Sequence, residues 1–280
     1  MRFEESHYIG YDGTQMFMNT WLPEKDQPRA VLIAVHGLGT HGGVFKGLAE
    51  YFAERGLAVF APDMRGFGHY SGLKGHVMNF DEYIEDLQNL IVQVKNRHPN
   101  KLTFLLGHSL GAQHVIRYLA TYPKEVDGAI IQCPAVSERL HISPGKKLAG
   151  HLLSVLNVKM YFKNEVDLSL ISHDPEVQRY HEADPLRFDM VTPRFGISGL
   201  RAAQEAFRAA TRIQVPVLLQ QAGDDRLVEA SKSRLFFDSL ASEDKSWIQY
   251  DGYYHEIFSE VGKERVLEDI EKWLERRLVA

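Results

Sequence analysis

The sequence predicts an α/β protein with a mostly parallel central sheet and helices on both faces. Three observations predict it. Short, continuously apolar runs recur at 30–35 (AVLIAV), 57–61 (LAVFA), 102–106 (LTFLL), 128–132 (GAIIQ) and 216–220 (PVLLQ). A strand that is covered on both sides has no polar face, which is the mark of parallel sheets. Runs with helical spacing lie between these strands, and that alternation makes parallel neighbours. Finally, 280 residues with 44% hydrophobic and 25% charged side chains are enough for a large core with a solvated surface.

Element by element, residues 16–22 (MFMNTWL) alternate as an edge strand would. Strand 30–35 leads into a Gly-rich loop, HGLGTHGG, and a helical run, FKGLAEYFAERG, with a glycine stop. Strand 57–61 ends at Pro62-Asp63, before the loop MRGFGHYSG. Residues 80–97 carry Tyr83, Leu87, Leu90, Ile91 and Val94 at helical spacing, with Asp81 as the expected cap. Strand 102–106 is followed by a helix over 110–121. Residues 246–250 (SWIQY) read as the last strand of the sheet and 263–278 as a closing amphipathic helix. Residues 134–196 break the rhythm. They hold helix-like pieces such as KKLAGHLLSVLNVKMYF and the polar stretch SHDPEVQRYHEADPLRF. About sixty residues are too many for an ordinary loop, so we expect a cap over one end of the sheet. The division is then a core of 1–133 and 197–280 with a cap of 134–196.

Charge and cysteine content narrow the function. Thirty-two basic against 37 acidic residues, a net charge of −5, give no basic footprint for a nucleic acid. The single cysteine, Cys133, allows no intramolecular disulfide and reads as a small buried hydrophobe. The start, MRFEESHYIG, lacks an apolar signal core, and no run of 18 apolar residues occurs. The expectation is a cytoplasmic protein that is neither exported by an ordinary signal peptide nor membrane-spanning.

Residues 104–112, FLLGHSLGA, place Ser109 between two glycines, after a buried strand and before a helix. Gly-x-Ser-x-Gly in that context is the nucleophile elbow of α/β-hydrolases. The turn is strained, and side chains at its flanks would strike the strand and helix beside it. A serine needs an adjacent base, and in this fold the order along the chain is serine, acid, histidine. After the strand ending in QQAGDD only one histidine remains, His255 in GYYHEIF. Chain order therefore selects His255. It leaves Asp224 and Asp225 as candidate acids, since adjacent residues cannot both face one imidazole. The amides of Leu38, in the His36-Gly37-Leu38-Gly39 loop, and of Leu110 would hold the oxyanion. His36 lies too early in the chain to be the base and is expected to brace its loop. No His-Glu-x-x-His or paired-cysteine spacing occurs, so no metal and no organic cofactor is implied.

The chain resembles α/β-hydrolases of the monoacylglycerol lipase and lysophospholipase-like group over nearly its whole length. The motifs that carry this are HGLGTHGG, Asp63-x-Arg65-Gly66-x-Gly68-x-x-Ser71, the Ser109 elbow, His173-Asp174-Pro175, Asp184-Pro185-Leu186 and Tyr254-His255. The resemblance implies a helical cap inserted after the sixth strand. VPVLLQQAGDDRLV matches a pattern in which Asp-x-x-Val starts at the catalytic acid, which makes Asp225 the acid. The implied substrate-binding set is Gly37, Thr40, His108, Leu152 and Leu156, the two leucines lining an acyl tunnel or touching a micelle. The implied partner is a small-molecule or lipid ester, with transient membrane contact through the cap and no nucleic acid. One departure stands out: Thr40 replaces the glutamate that helps to hold glycerol in animal monoacylglycerol lipases, and Val44 replaces a nearby arginine. A general carboxylesterase and a lysophospholipase fit these residues as well. An aminopeptidase would need cap carboxylates for the substrate amine, for which Glu176, Glu182 and Asp184 are the candidates. A catalytically inactive binding protein on the same scaffold would normally lack a member of the triad, and here Ser109, an acid and His255 are all present.

Overall fold

Each apolar run of the sheet sends alternate side chains to opposite faces. In β3 (Ala30–Val35), Val31, Ile33 and Val35 enter one hydrophobic core while Ala30, Leu32 and Ala34 enter the other. Every residue of β3, β4 (Leu57–Pro62), β5 (Thr103–His108), β6 (Gly128–Gln132) and β9 (Val217–Ala222) is buried. With β1 (Arg2–Ile9), β2 (Gln15–Leu22) and β10 (Lys245–Tyr250) they form an eight-stranded sheet, order β1-β2-β4-β3-β5-β6-β9-β10. The β1/β2 and β2/β4 pairs are antiparallel and the rest are parallel. These findings come from a computed structural model that describes residues 1–25, 27–137, 144–164 and 166–278.

One face of the sheet is covered by α1 (Lys46–Glu54) and α8 (Lys263–Leu278). The other is covered by α2 (Asp81–Arg97), α3 (Leu110–Thr121), α6 (Pro193–Ala209) and α7 (Ala230–Asp238). The parallel sheet between two helical layers is the predicted architecture. Two local expectations need correction. Residues 16–22 are not an edge, because β1 pairs outside them. Asp81 is the first residue of α2, after Phe80 at the cap position, and its side chain meets Arg117.

The insertion follows β6. Its described part contains α4 (Pro144–Val155), α5 (Pro175–Ala183) and a small hairpin of β7 (Phe162–Lys163) and β8 (Met190–Val191). Residues 138–143 and 165 of the expected cap lie outside the described residues. The boundary expected at 196 falls inside α6, which starts at Pro193 after a Thr192 cap. Phe195 of that helix stacks edge-on against Phe67 and Phe80 of the core. The insertion is seated on the core through backbone and buried polar contacts. Phe188 N–H donates to Gly39 O at 2.9 Å, and Thr192 N–H to Gly75 O at 3.0 Å. A Cβ at Gly75 would lie 2.1 Å from Met190 O, so only glycine lets the two backbones approach this closely. His41 Nε2 and Asp184 Oδ2 meet at 2.9 Å, both side chains almost wholly buried.

A second polar knot ties the β1–β2 turn to α2. Arg65, just after β4, donates to both oxygens of Asp86 on α2, at 2.8 and 2.9 Å, and to both of Asp12 in the β1–β2 turn, at 2.9 and 3.0 Å. Its guanidinium is buried, and this two-sided pairing satisfies a charge that would otherwise be costly.

Candidate active site

Ser109 stands between β5 and α3 with φ 56° and ψ −116°. A non-glycine residue in that region is strained, and such strain concentrates at functional sites. The flanking glycines have a measurable reason. A Cβ at Gly111 would lie 2.1 Å from Val35 O, and one at Gly107 would lie 2.6 Å from Ala112 Cα. Strand β3 and helix α3 can pack against the turn only without those side chains. The Ser109 amide donates to Gln132 O at 3.0 Å and its carbonyl accepts from Ala135 N–H at 3.1 Å, which locks the turn to the end of β6.

Position separates the two aspartates. Asp225 has a fully buried side chain, and its Oδ2 lies 2.8 Å from His255 Nδ1. Its Oδ1 accepts from the Leu227 and Val228 amides at 2.9 Å each, and Gln221 Nε2 donates to Oδ2 at 3.2 Å. Burial alone would raise this carboxyl, but His255 and the two amides outweigh it and hold it below the usual range. Asp224 is half exposed and lies 3.5 Å from Arg226. It is turned away from the imidazole.

His255 donates from Nδ1, which leaves Nε2 as the basic nitrogen. The ring lies beside His108, with centroids 4.8 Å apart, and His108 Nε2 donates to His255 O at 3.2 Å. Residues 108 and 109 thus bring the elbow against the histidine loop. The Ser109 hydroxyl is not hydrogen-bonded to His255 in this structure; such bonds are often long without substrate and tighten in the Michaelis complex. Burial, with His255 alongside, pushes His108 down to about 4, so it is neutral and serves as a prop.

Gly37 lies against the elbow, where a Cβ would be 3.4 Å from that of Ser109. Leu110 is the first residue of α3, so its amide has no intrahelical acceptor and lies at the positive end of the helix dipole, next to Ser109. Leu38 is partly buried and packs against the core. His36 braces its loop as expected: Nε2 accepts from Met64 N–H at 2.9 Å, and Nδ1 donates to Gly37 O at 2.8 Å. Burial lowers it to about 4. Thr40 is buried and donates its hydroxyl to Gly37 O at 3.1 Å. Leu152 and Leu156 lie on the outside. With Leu148 and Val155 they form an exposed apolar stripe along α4 and just beyond it, 59–73% accessible.

Among the described residues, one trio of metal-ligating side chains comes together: Cys133, Asp225 and His255, with ligand atoms within 4.8 Å. Burial holds the Cys133 thiol well above its ordinary value, hence protonated. A cation there would compete with the Asp225–His255 hydrogen bond.

Comparison with known proteins gives the family. The family model for serine aminopeptidase S33 matches residues 26–262. The chain belongs to that family. A monoacylglycerol lipase of Mycolicibacterium smegmatis is 33% identical over 272 residues, 96% of each chain. A monoglyceride lipase of Rattus norvegicus is 31% identical over 97% of this chain and 90% of its own. The crystal structure of a Paleococcus ferrophilus monoacylglycerol lipase superposes with a TM-score of 0.84 at 28% identity, over 93% of this chain and 98% of that one. Family and fold make the protein a lipase- or esterase-like serine hydrolase on the α/β-hydrolase scaffold.

What sequence reasoning missed lies just after His255. Glu256 and Glu260 are buried, and both are held by histidines of the insertion. The only signal was their position within five residues of His255.

Proposed function

We propose that the protein hydrolyses carboxylic esters, monoacylglycerols and related medium-chain acyl esters, through an acyl-enzyme on Ser109. The 2.8 Å Asp225–His255 pair beside the strained Ser109 elbow is the observation that carries it. The near-full-length likeness to monoacylglycerol lipases supports the substrate class. His255 Nε2 takes the Ser109 proton as Oγ attacks the ester carbonyl. The Leu38 and Leu110 amides hold the oxyanion. His255 then protonates the leaving alcohol, and water, deprotonated by the same nitrogen, releases the acid. Asp225 orients the ring and stabilises its charged form without taking the proton. The scheme calls on no metal or organic cofactor.

Two observations bear on specificity. The cap carboxylates are largely engaged elsewhere, Asp184 with His41 and Glu176 with Arg179, which favours an ester over a free-amine peptide. Thr40 turns its hydroxyl to Gly37 O, which favours a second reading, a general carboxylesterase without a glycerol contact there. The segment 134–196 serves as the cap in either reading. The exposed stripe on α4 supports transient contact with a membrane or micelle, while no helix of the described residues is long and apolar enough to cross a membrane.

The test is hydrolysis of p-nitrophenyl esters of two to sixteen carbons, with monoacylglycerol and lysophospholipid alongside. A maximum at medium chains with monoacylglycerol turnover is expected, and Ser109→Ala should lower turnover by several orders of magnitude. A sharp maximum at two to four carbons with glycerides ignored selects the carboxylesterase; near-normal turnover by Ser109→Ala removes the reading. Leu152→Ser with Leu156→Ser should slow emulsified long-chain substrate several-fold and leave the soluble short ester unchanged.

A further inference from the structure

The residues flanking His255 are tied to the insertion and not only to the core. Glu256 N–H donates to Ile171 O at 2.7 Å. The Glu256 side chain, in turn, lies 3.1 Å from His181 Nε2 and also meets the Ser259 hydroxyl. Both members of the His181–Glu256 pair are buried, and His181 comes from α5. On the other side, Tyr254 N–H donates to Glu260 Oε2 at 3.1 Å. Glu260 is buried too, and it accepts from the Ser172 hydroxyl at 3.1 Å, the His173 amide at 2.9 Å and the Val261 amide at 2.8 Å. His173 Nδ1 lies 3.1 Å from the same carboxylate, and its ring is 3.6 Å from that of Tyr254.

Burying two carboxylates beside a catalytic loop is costly unless each is fully paired. Here nearly all the pairing that is not local comes from residues 171–181. Burial would raise Glu256, yet the His181 ring beside it holds it down to about 2. The donors of Glu260 outweigh its own burial and hold it low as well. Both groups stay charged, so each acts as a fixed acceptor through the working pH range. A fixed acceptor on either side of a histidine sets the path of the backbone that carries the ring.

We propose that Glu256 and Glu260, gripped by His181, Ser172 and His173, are positioning residues for His255, which makes the insertion part of the mounting of the catalytic base. This rests on the reading of Ser109, Asp225 and His255 given above. A cap that only shapes the substrate channel acts on KM and on chain-length preference. A cap that mounts the base acts on the chemical step, where a displacement of about 1 Å can cost about a hundredfold.

The experiment compares His181→Leu, which leaves Glu256 without its ring partner, with His181→Gln, which restores an N–H donor. Glu260→Gln and the milder Ser172→Ala probe the other side and keep the test open should His181→Leu not fold. Each is measured for kcat and KM on p-nitrophenyl butyrate and octanoate, and for the rate at which a fluorophosphonate labels Ser109. His181→Leu and Glu260→Gln are expected to lose about ten- to a hundredfold in kcat and in labelling rate. KM and the ratio between the two esters should stay within twofold. His181→Gln should recover most of the loss, and Ser172→Ala should lose a few-fold in the same sense. A changed KM or ester ratio at constant kcat, or labelling at the parent rate throughout, overturns the proposal. Failure of the parent protein itself to be labelled would instead overturn the reading of Ser109.

Discussion

At the scale of single residues, the site depends on which of two adjacent aspartates faces inward. Asp225 gives both oxygens to the interior, to His255 and to two amides of its own turn, whereas Asp224 meets Arg226 at the surface. Asp225→Asn should therefore lower kcat by about ten thousandfold, the size seen when the acid of such a triad is made neutral. Asp224→Asn should stay within about twofold. Steady-state rates of the two variants on one soluble ester check this, and the reverse ranking would reassign the acid. Chain order alone could choose His255, because it is the only histidine after the β9 strand end. It could not choose between neighbours. That choice depends on which way a backbone turn points each side chain, and here it came from a family pattern. Thr40 shows the opposite case. A position aligned with a substrate contact turns its hydroxyl to a neighbouring carbonyl, which no spacing rule foresees.

Among the elements, strands buried on both faces were the most legible, since their sequence has no polar register to mislead. Strand β1 was not read. RFEESHYI is mostly charged or polar, and its pattern is that of an edge exposed along most of its length. Its existence is decided by pairing with β2, a contact that its own periodicity does not announce. The contacts of the insertion were equally hidden, because His181 with Glu256 and His41 with Asp184 join residues 75 and 143 positions apart. The Arg65 knot belongs to this scale as well, since it ties the β1–β2 turn to α2. Arg65→Ala would leave Asp86 buried and unpaired, and it should cost about 3–5 kcal/mol. Denaturant unfolding measures this, and a loss below about 1 kcal/mol would mean that the pairing is not a principal tie. Asp12→Ala, at the more exposed end, should cost much less.

For the whole molecule, several histidines are held neutral by burial. His36 and His108 lie at about 4, and His114, stacked on Tyr83 in the core, lies well below its ordinary value. In each case the folded state binds its proton less readily than the unfolded chain does. Stability is therefore complete above about pH 6.5 and falls as the pH drops, because the unfolded chain takes up protons that the fold refuses. The loss for His36 or His108 is about 1.4 kcal/mol per pH unit until its folded value near 4 is reached. The melting temperature should fall steadily from pH 7 to pH 4.5, and a flat profile would contradict the buried neutral state. The backbone of Ser109 acts in the other direction. Its conformation is one that glycine adopts freely and that every side chain resists, alanine included. Ser109→Gly should therefore be more stable to unfolding than the parent by about 1 kcal/mol, whereas Ser109→Ala should not, and both should be inactive. Selection for thermal robustness alone would thus favour glycine at position 109, and under the proposed mechanism a serine there is a mark of selection for turnover.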